Sequence, residues 1–130
     1  MSVLFPALLR YEDVAVLLIR LMVAAVFVSS GLAHVRSPAE RARSIEMSPG
    51  FTVFLGVAEI AGGLAVALGV LTQLAAIGLI LIMLGAILKK IFAWKTGFWG
   101  QNASGWHYDL MLALMSLLIL FTGGGRLVLL

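Results

Sequence analysis

The chain contains no cysteine. Disulfides, thiolate metal sites and thiol redox chemistry are therefore excluded, as are cysteine-bound iron–sulfur clusters. Charge is scarce as well: Lys, Arg, Asp and Glu make up 12% of the 130 residues, against 62% hydrophobic. A soluble domain carries roughly 25% charged and roughly 45–50% apolar residues. So few charges cannot clothe a water-facing surface, so lipid is the expected solvent for most of the molecule. There are two histidines, at 34 and 107. With Asp109 they supply ligand types a metal accepts, but no pair has the i,i+4 spacing of a helical metal motif, and no metal is expected. The triple glycine at 123–125 lacks the Lys-Ser/Thr sequel of a phosphate loop. The net charge of +3 resides mainly in loops, which points to orientation in a membrane rather than to nucleic acid.

What the chain has is long apolar runs. A bilayer-spanning helix needs roughly 20 apolar residues. Four stretches qualify, at about residues 14–35, 51–69, 72–94 and 106–123. The first follows Glu12 and Asp13 rather than a basic cluster, and it is long, so it reads as a retained helix rather than a signal peptide. Asp13 is its candidate cap and Thr72 that of the third. Only Val70 and Leu71 separate the second stretch from Thr72, and helices joined so tightly must be antiparallel neighbours. The expected fold is an all-α, antiparallel four-helix bundle embedded in the membrane, a single domain over the whole chain. Residues 38–45 have the composition of a short interfacial helix. Trp94, Trp99, Trp106 and Tyr108 suit a membrane–water boundary. Small residues recur in the second helix at Ala61, Ala65 and Gly69, and at Ala58 and Gly62, and such rows let helices pack closely in lipid. Met22, Met83, Met111 and Met115 read as core packing.

Few residues can carry chemistry. Arg20 and Glu59 each lie inside an apolar helix, where a lone charge costs at least a few kcal/mol. At 1.5 Å per residue their depths differ by only a few Å, so the two are expected to pair. That pair is either a structural lock or a proton, anion or quinone head-group site. A second cluster gathers at the opposite membrane face: His34, Lys89, Lys90, His107, Tyr108 and Asp109. It reads as interfacial anchoring or as a head-group pocket. Both long loops are rich in Lys and Arg, which predicts that they are cytoplasmic and the termini outside.

Several motifs occur together in order. Arg20 sits in LLIRLMVAAVF, and SSGLAH precedes Pro38. The run FLGVAEIAGGLAVALGVLTQLAA holds a glutamate, a double glycine and a closing G-x-x-T. LIMLGAI leads into a basic end, WHYDL opens the last helix and GGGR closes it. Across nearly the whole chain this resembles the DoxX family of small four-helix membrane proteins. By position, Arg20, Glu59, Gly62, Gly63, Tyr108 and His34 match the family's patterned residues. His107 replaces a common glutamate, and Val128, Leu129 and Leu130 replace a common serine–leucine–aspartate.

The resemblance implies a multi-pass protein of a bacterial cytoplasmic membrane. It also implies links to thiosulfate:quinone oxidoreductase subunits, to other membrane oxidoreductase complexes or to membrane-protein assembly. The chain has no flavin, haem or iron–sulfur motif of its own. The expectation is thus an accessory or anchor subunit without intrinsic cofactor, with quinone as its candidate ligand. Its partners would be lipid and either other membrane subunits or further copies of itself. A non-redox assembly subunit and a small transporter are the alternatives.

Overall fold

A computed structural model describes residues 4–39, 48–95, 97–100 and 105–128. The fold is all-helical. A 3-10 turn, Pro6–Tyr11, leads into α1, Glu12–Arg36. Helix α2 spans Pro49–Leu68 and α3 spans Thr72–Leu88. A π turn, Lys89–Ala93, extends α3, and α4 spans Trp106–Thr122. The segments Pro6–Arg36, Pro49–Leu68 and Thr72–Ala93 are long and apolar enough to cross a bilayer. Helix α4 has 17 residues, or about 25 Å at 1.5 Å per residue. The expected helix at residues 38–45 falls mostly outside the described residues.

Local chemistry sets the helix ends. Ser48 caps α2, its hydroxyl accepting from the Phe51 N–H at 3.2 Å, and Pro49 takes the first-turn position, where its missing N–H costs nothing. Gly69 ends α2 at φ 77° and Gly123 ends α4 at φ 67°, both in the left-handed region that glycine enters freely. Neither expected side-chain cap forms. Asp13 lies inside the first turn of α1, where its Oδ1 accepts from the Arg126 N–H at 3.0 Å. Thr72 is the first residue of α3 and is buried, while Leu71 takes the cap position at φ 48°.

The buried positions form one narrow stripe per helix. They are Thr52, Gly56, Glu59, Gly63 and Val66 on α2, and Thr72, Ala76, Leu79 and Met83 on α3. On α4, Asp109, Leu112, Ser116 and Ile119 follow the same alternating three- and four-residue step, and α1 keeps it from Val16 through Arg20 and Val23 to Phe27. This is the seam of left-handed helix packing. The exposed faces are predominantly apolar as well.

Antiparallel contacts follow from the seams. Helix α1 packs chiefly on α2, and α3 chiefly on α4. A Cβ on Gly31 would lie 2.6 Å from the Gly56 carbonyl oxygen, and one on Gly56 would lie 2.7 Å from the Gly31 oxygen. The two backbones therefore touch directly. Gly63 continues this line against Val28 and Ala24, whereas Gly62 faces Leu79 of α3. Of the expected row at Ala61, Ala65 and Gly69, Ala61 is exposed, Ala65 half-buried and Gly69 buried, so only its far end makes a close contact. Of the four methionines, Met83 is in the core and Met115 packs against it, while Met22 and Met111 face outward.

Arg20 does not pair with Glu59. Its Nε donates to the Val66 carbonyl at 2.8 Å and its Nη2 to the Ala67 carbonyl at 3.0 Å. Its Nη1 donates to the carbonyls of Leu127 at 2.6 Å and Gly124 at 3.2 Å. Val66 and Ala67 are among the last residues of α2, whose carbonyls have no partner within the helix. They lie about two turns, or roughly 10 Å, beyond Glu59. A guanidinium satisfied by four carbonyls needs no carboxylate. The other two carbonyls belong to the segment after α4, which folds back across the terminus face. There the Arg126 side chain also approaches Asp13 at 3.9 Å.

Two predictions follow from this arrangement. Arg20→Ala removes charged hydrogen bonds worth about 1.5–3 kcal/mol each, so detergent-solubilised protein should melt well below wild type. Arg20→Lys should recover only part of the loss, because an ammonium lacks the planar fork. An unchanged melting temperature for Arg20→Ala would contradict the cage. Ending the chain at Gly125 removes the Leu127 carbonyl and the Arg126 contacts. It should destabilise less than Arg20→Ala, and the two changes together should cost less than their sum.

Candidate functional site

At the opposite end of the bundle, the loop face, the helix pairs α1–α2 and α3–α4 part around a cavity of about 510 Å³. All four helices supply its polar residues: Ser30 and His34, Glu59, Lys89 and Lys90, and Tyr108 and Asp109. Its walls are apolar, with Phe27, Phe51, Phe54, Leu81, Met83 and Leu112 among them. The volume lies within the roughly 300–1,000 Å³ typical of small-molecule sites.

Each polar group has a local reason for its position. His34, in the last turn of α1, hydrogen-bonds through Nδ1 to the Ser30 carbonyl at 2.8 Å. A carbonyl can only accept, so that nitrogen carries the proton in this contact and Nε2 is the remaining ring position. Glu59 takes a seam position on α2, where its neighbours in the stripe are Gly56 and Gly63. It is 3% exposed, so its carboxyl is held inside the bundle. Lys90 Nζ lies 2.8 Å from Asp109 Oδ2 and 3.5 Å from the Gly105 carbonyl. These contacts tie the end of α3 to the start of α4. Asp109 is itself 5% exposed, in the first turn of α4, where the helix dipole favours a negative charge. The neighbouring Tyr108 is within electrostatic reach of both carboxylates.

The π turn contributes to this arrangement. The Trp94 N–H bonds back to the Lys89 carbonyl at 2.9 Å, closing a five-residue loop wider than an α-helical turn. Both consecutive lysines line the cavity as a result. Lys89 also lies 5.6 Å from the centre of the Trp94 ring, a cation–π contact that places its ammonium beside an aromatic wall.

The structure thus regroups the residues singled out from the sequence. His34, Lys89, Tyr108 and Asp109 come together, joined by Lys90 and by Glu59. Arg20 lies at the other face. His107 does not line the cavity. Its Nδ1 bonds the Phe98 carbonyl at 2.7 Å, and its ring packs on Trp99 and Phe98 at 4.9 and 5.6 Å between centres. Phe98 also meets Trp106 edge-on at 4.8 Å, which completes an aromatic cluster on the loop. Ser30 was not anticipated; the SSGLAH motif was its only signal. Gly62 and Gly63 are packing residues, on opposite helix contacts.

This arrangement can hold an amphiphile. Two carboxylates, two ammoniums, an imidazole and a phenol offer donors and acceptors, and the rest of the lining offers hydrocarbon.

Comparison with known proteins agrees with this architecture. The DoxX family model matches residues 15–94, which cover α1 apart from its first three residues, α2, α3 and the π turn. The chain is 37% identical to the uncharacterized membrane protein Rv3486 of Mycobacterium tuberculosis, over 94% of this chain and 83% of that protein. No solved structure matches the chain. The chain is a membrane protein and belongs to the DoxX family.

Proposed function

We propose that this protein is an accessory subunit of a membrane oxidoreductase and that its cavity holds the head group of a quinone. The observation that carries the reading is the amphiphilic cavity itself, lined by acids and bases from all four helices and by apolar walls. A quinone is a neutral ring with two carbonyl acceptors. The Lys89 and Lys90 ammoniums and the Tyr108 hydroxyl are donors of the kind those carbonyls need. Glu59 and Asp109 balance the lysines, which suits a neutral head group better than an anionic one. Electrons would have to come from a partner protein, since the residues here carry none. The Lys and Arg of the two long loops support a cytoplasmic loop face.

A transporter is disfavoured by the interior. Val23, Phe27, Val66, Leu79 and Ile119 are each at most 1% exposed and form a dry layer between the cavity and the terminus face.

The test is quinone binding to the protein reconstituted in phosphatidylcholine vesicles. Wild type should bind an alkylated benzoquinone saturably. Tyr108→Phe and a Lys89→Met, Lys90→Met double variant should bind at least ~10-fold more weakly, equivalent to about 1.4 kcal/mol. Equal binding by wild type and both variants would refute the site. Gentle purification from the native membrane followed by mass spectrometry addresses the partner. A redox enzyme retained in stoichiometric amount is the expected result, and a non-redox membrane complex would instead mark an assembly subunit.

A further inference from the structure

A cavity that holds the head group of a tailed molecule must let the tail out, and the walls differ in how they meet the surrounding lipid. The α1–α2 wall is shut by the direct contact of Gly31 with Gly56. The α3–α4 wall is pinned by Lys90 and Asp109 at 2.8 Å. Helices α2 and α3 meet where Gly62 packs on Leu79, and toward the loop face residues of both line the cavity.

Phe51, Phe54, Leu81, Gly85 and Tyr108 both line the cavity and are exposed. Four of the five lie on α2 and α3, and all four are apolar. Phe54 is 68% exposed and Leu81 63%. Leu81 and Gly85 are one helical turn apart on the same face of α3. A Cβ built on Gly85 meets nothing within 4 Å. In the middle of an apolar helix, where glycine weakens the helix relative to alanine, this glycine leaves a gap rather than permitting a close contact.

We infer that Gly85 is the floor of a lateral exit between α2 and α3. Through it the hydrocarbon tail of the bound amphiphile leaves the cavity for the bilayer, between Phe54 and Leu81. The inference rests on the quinone reading of the cavity and adds the route and the residue that sets it. The head group sits against the Lys90–Asp109 end and the tail points into the membrane core. The ligand therefore arrives from the bilayer rather than from water, and the exit selects molecules with a single slender chain.

Gly78 supplies a matched control. It lies two turns earlier on α3, is exposed, does not line the cavity, and likewise has nothing within 4 Å of a built Cβ. Leucine is compatible with the helical backbone at both positions and raises helix propensity. The experiment compares wild type, Gly85→Leu and Gly78→Leu in phosphatidylcholine vesicles. The probes are a tail-less dimethoxy-methyl-benzoquinone and its decyl derivative. The readout is the ratio of their dissociation constants, each expressed as mole fraction in the bilayer and corrected with protein-free vesicles.

Gly85→Leu should shift the ratio against the decyl probe by at least about 10-fold, and Gly78→Leu should leave it at the wild-type value. A Gly85→Leu ratio equal to wild type overturns the exit, and so does an equal loss of both probes, which would place the leucine in the head-group pocket. The same shift in Gly78→Leu also overturns it. If wild type binds neither probe, the quinone reading fails and the exit fails with it. Displacement of both probes by an equal mole fraction of phosphatidylglycerol would assign the cavity to a phospholipid and overturn the quinone assignment.

Discussion

The fold depends on one guanidinium. A charge that cannot be neutralised lies in the interior of a membrane protein, and backbone oxygens alone satisfy it. Arg20 belongs to α1, yet its partners are the end of α2 and the segment that follows α4. The Val66 and Ala67 carbonyls would otherwise be left without donors at the end of α2. The arrangement thus settles two costs together, the buried charge and the orphaned oxygens. It also dictates other choices. A Cβ on Gly69 would lie 2.7 Å from Arg20 Nη2 and 2.6 Å from the Val128 backbone, so that turn must be glycine for space as well as for its positive φ. The glycines at 123–125 all have positive φ and bend the chain back to the cage.

The helices were legible in the sequence because length and apolarity are the properties a bilayer reads. Their inward faces were not. In water, polar residues mark the outside of a helix; here both faces are apolar and the contrast vanishes. The few polar residues carry the signal instead, reversed in sense. Arg20, His34, Thr52, Glu59, Thr72, Asp109 and Ser116 are all buried, and each lies on its helix's seam. Reading seams from these residues identifies Gly56 and Gly63 as the α1–α2 contact row, which the small-residue repeats at Ala61, Ala65 and Gly69 and at Ala58 and Gly62 did not pick out.

The misplaced Arg20–Glu59 pair has a related cause. Depth arguments locate Cα atoms, but an arginine reaches several Å beyond its own, and carbonyl acceptors have no one-letter code. Glu59 therefore found its neighbourhood among the groups of the loop face. That cluster was largely legible, because His34, Lys89, Tyr108 and Asp109 all sit at helix ends on one membrane face. His107 was the exception. It is adjacent to Tyr108, and adjacent residues on a helix point about 100° apart. One of the two could line the cavity and the other had to meet the loop.

The separation of the two anchoring devices has a mechanical consequence. At the terminus face the helix pairs are joined twice, by the three-residue turn between α2 and α3 and by the Arg20 cage, which grips both pairs. At the loop face the cavity lies between them. Each pair is internally stiff: backbone rests on backbone in α1–α2, and an ion pair spans α3–α4. The molecule is therefore built like a clothes-peg, with its spring at one membrane surface and its jaws at the other. A small rotation about the sprung end produces its largest displacement at the jaws, while the dry layer near the pivot scarcely changes. The spacing between the jaws is thus the softest dimension of the protein.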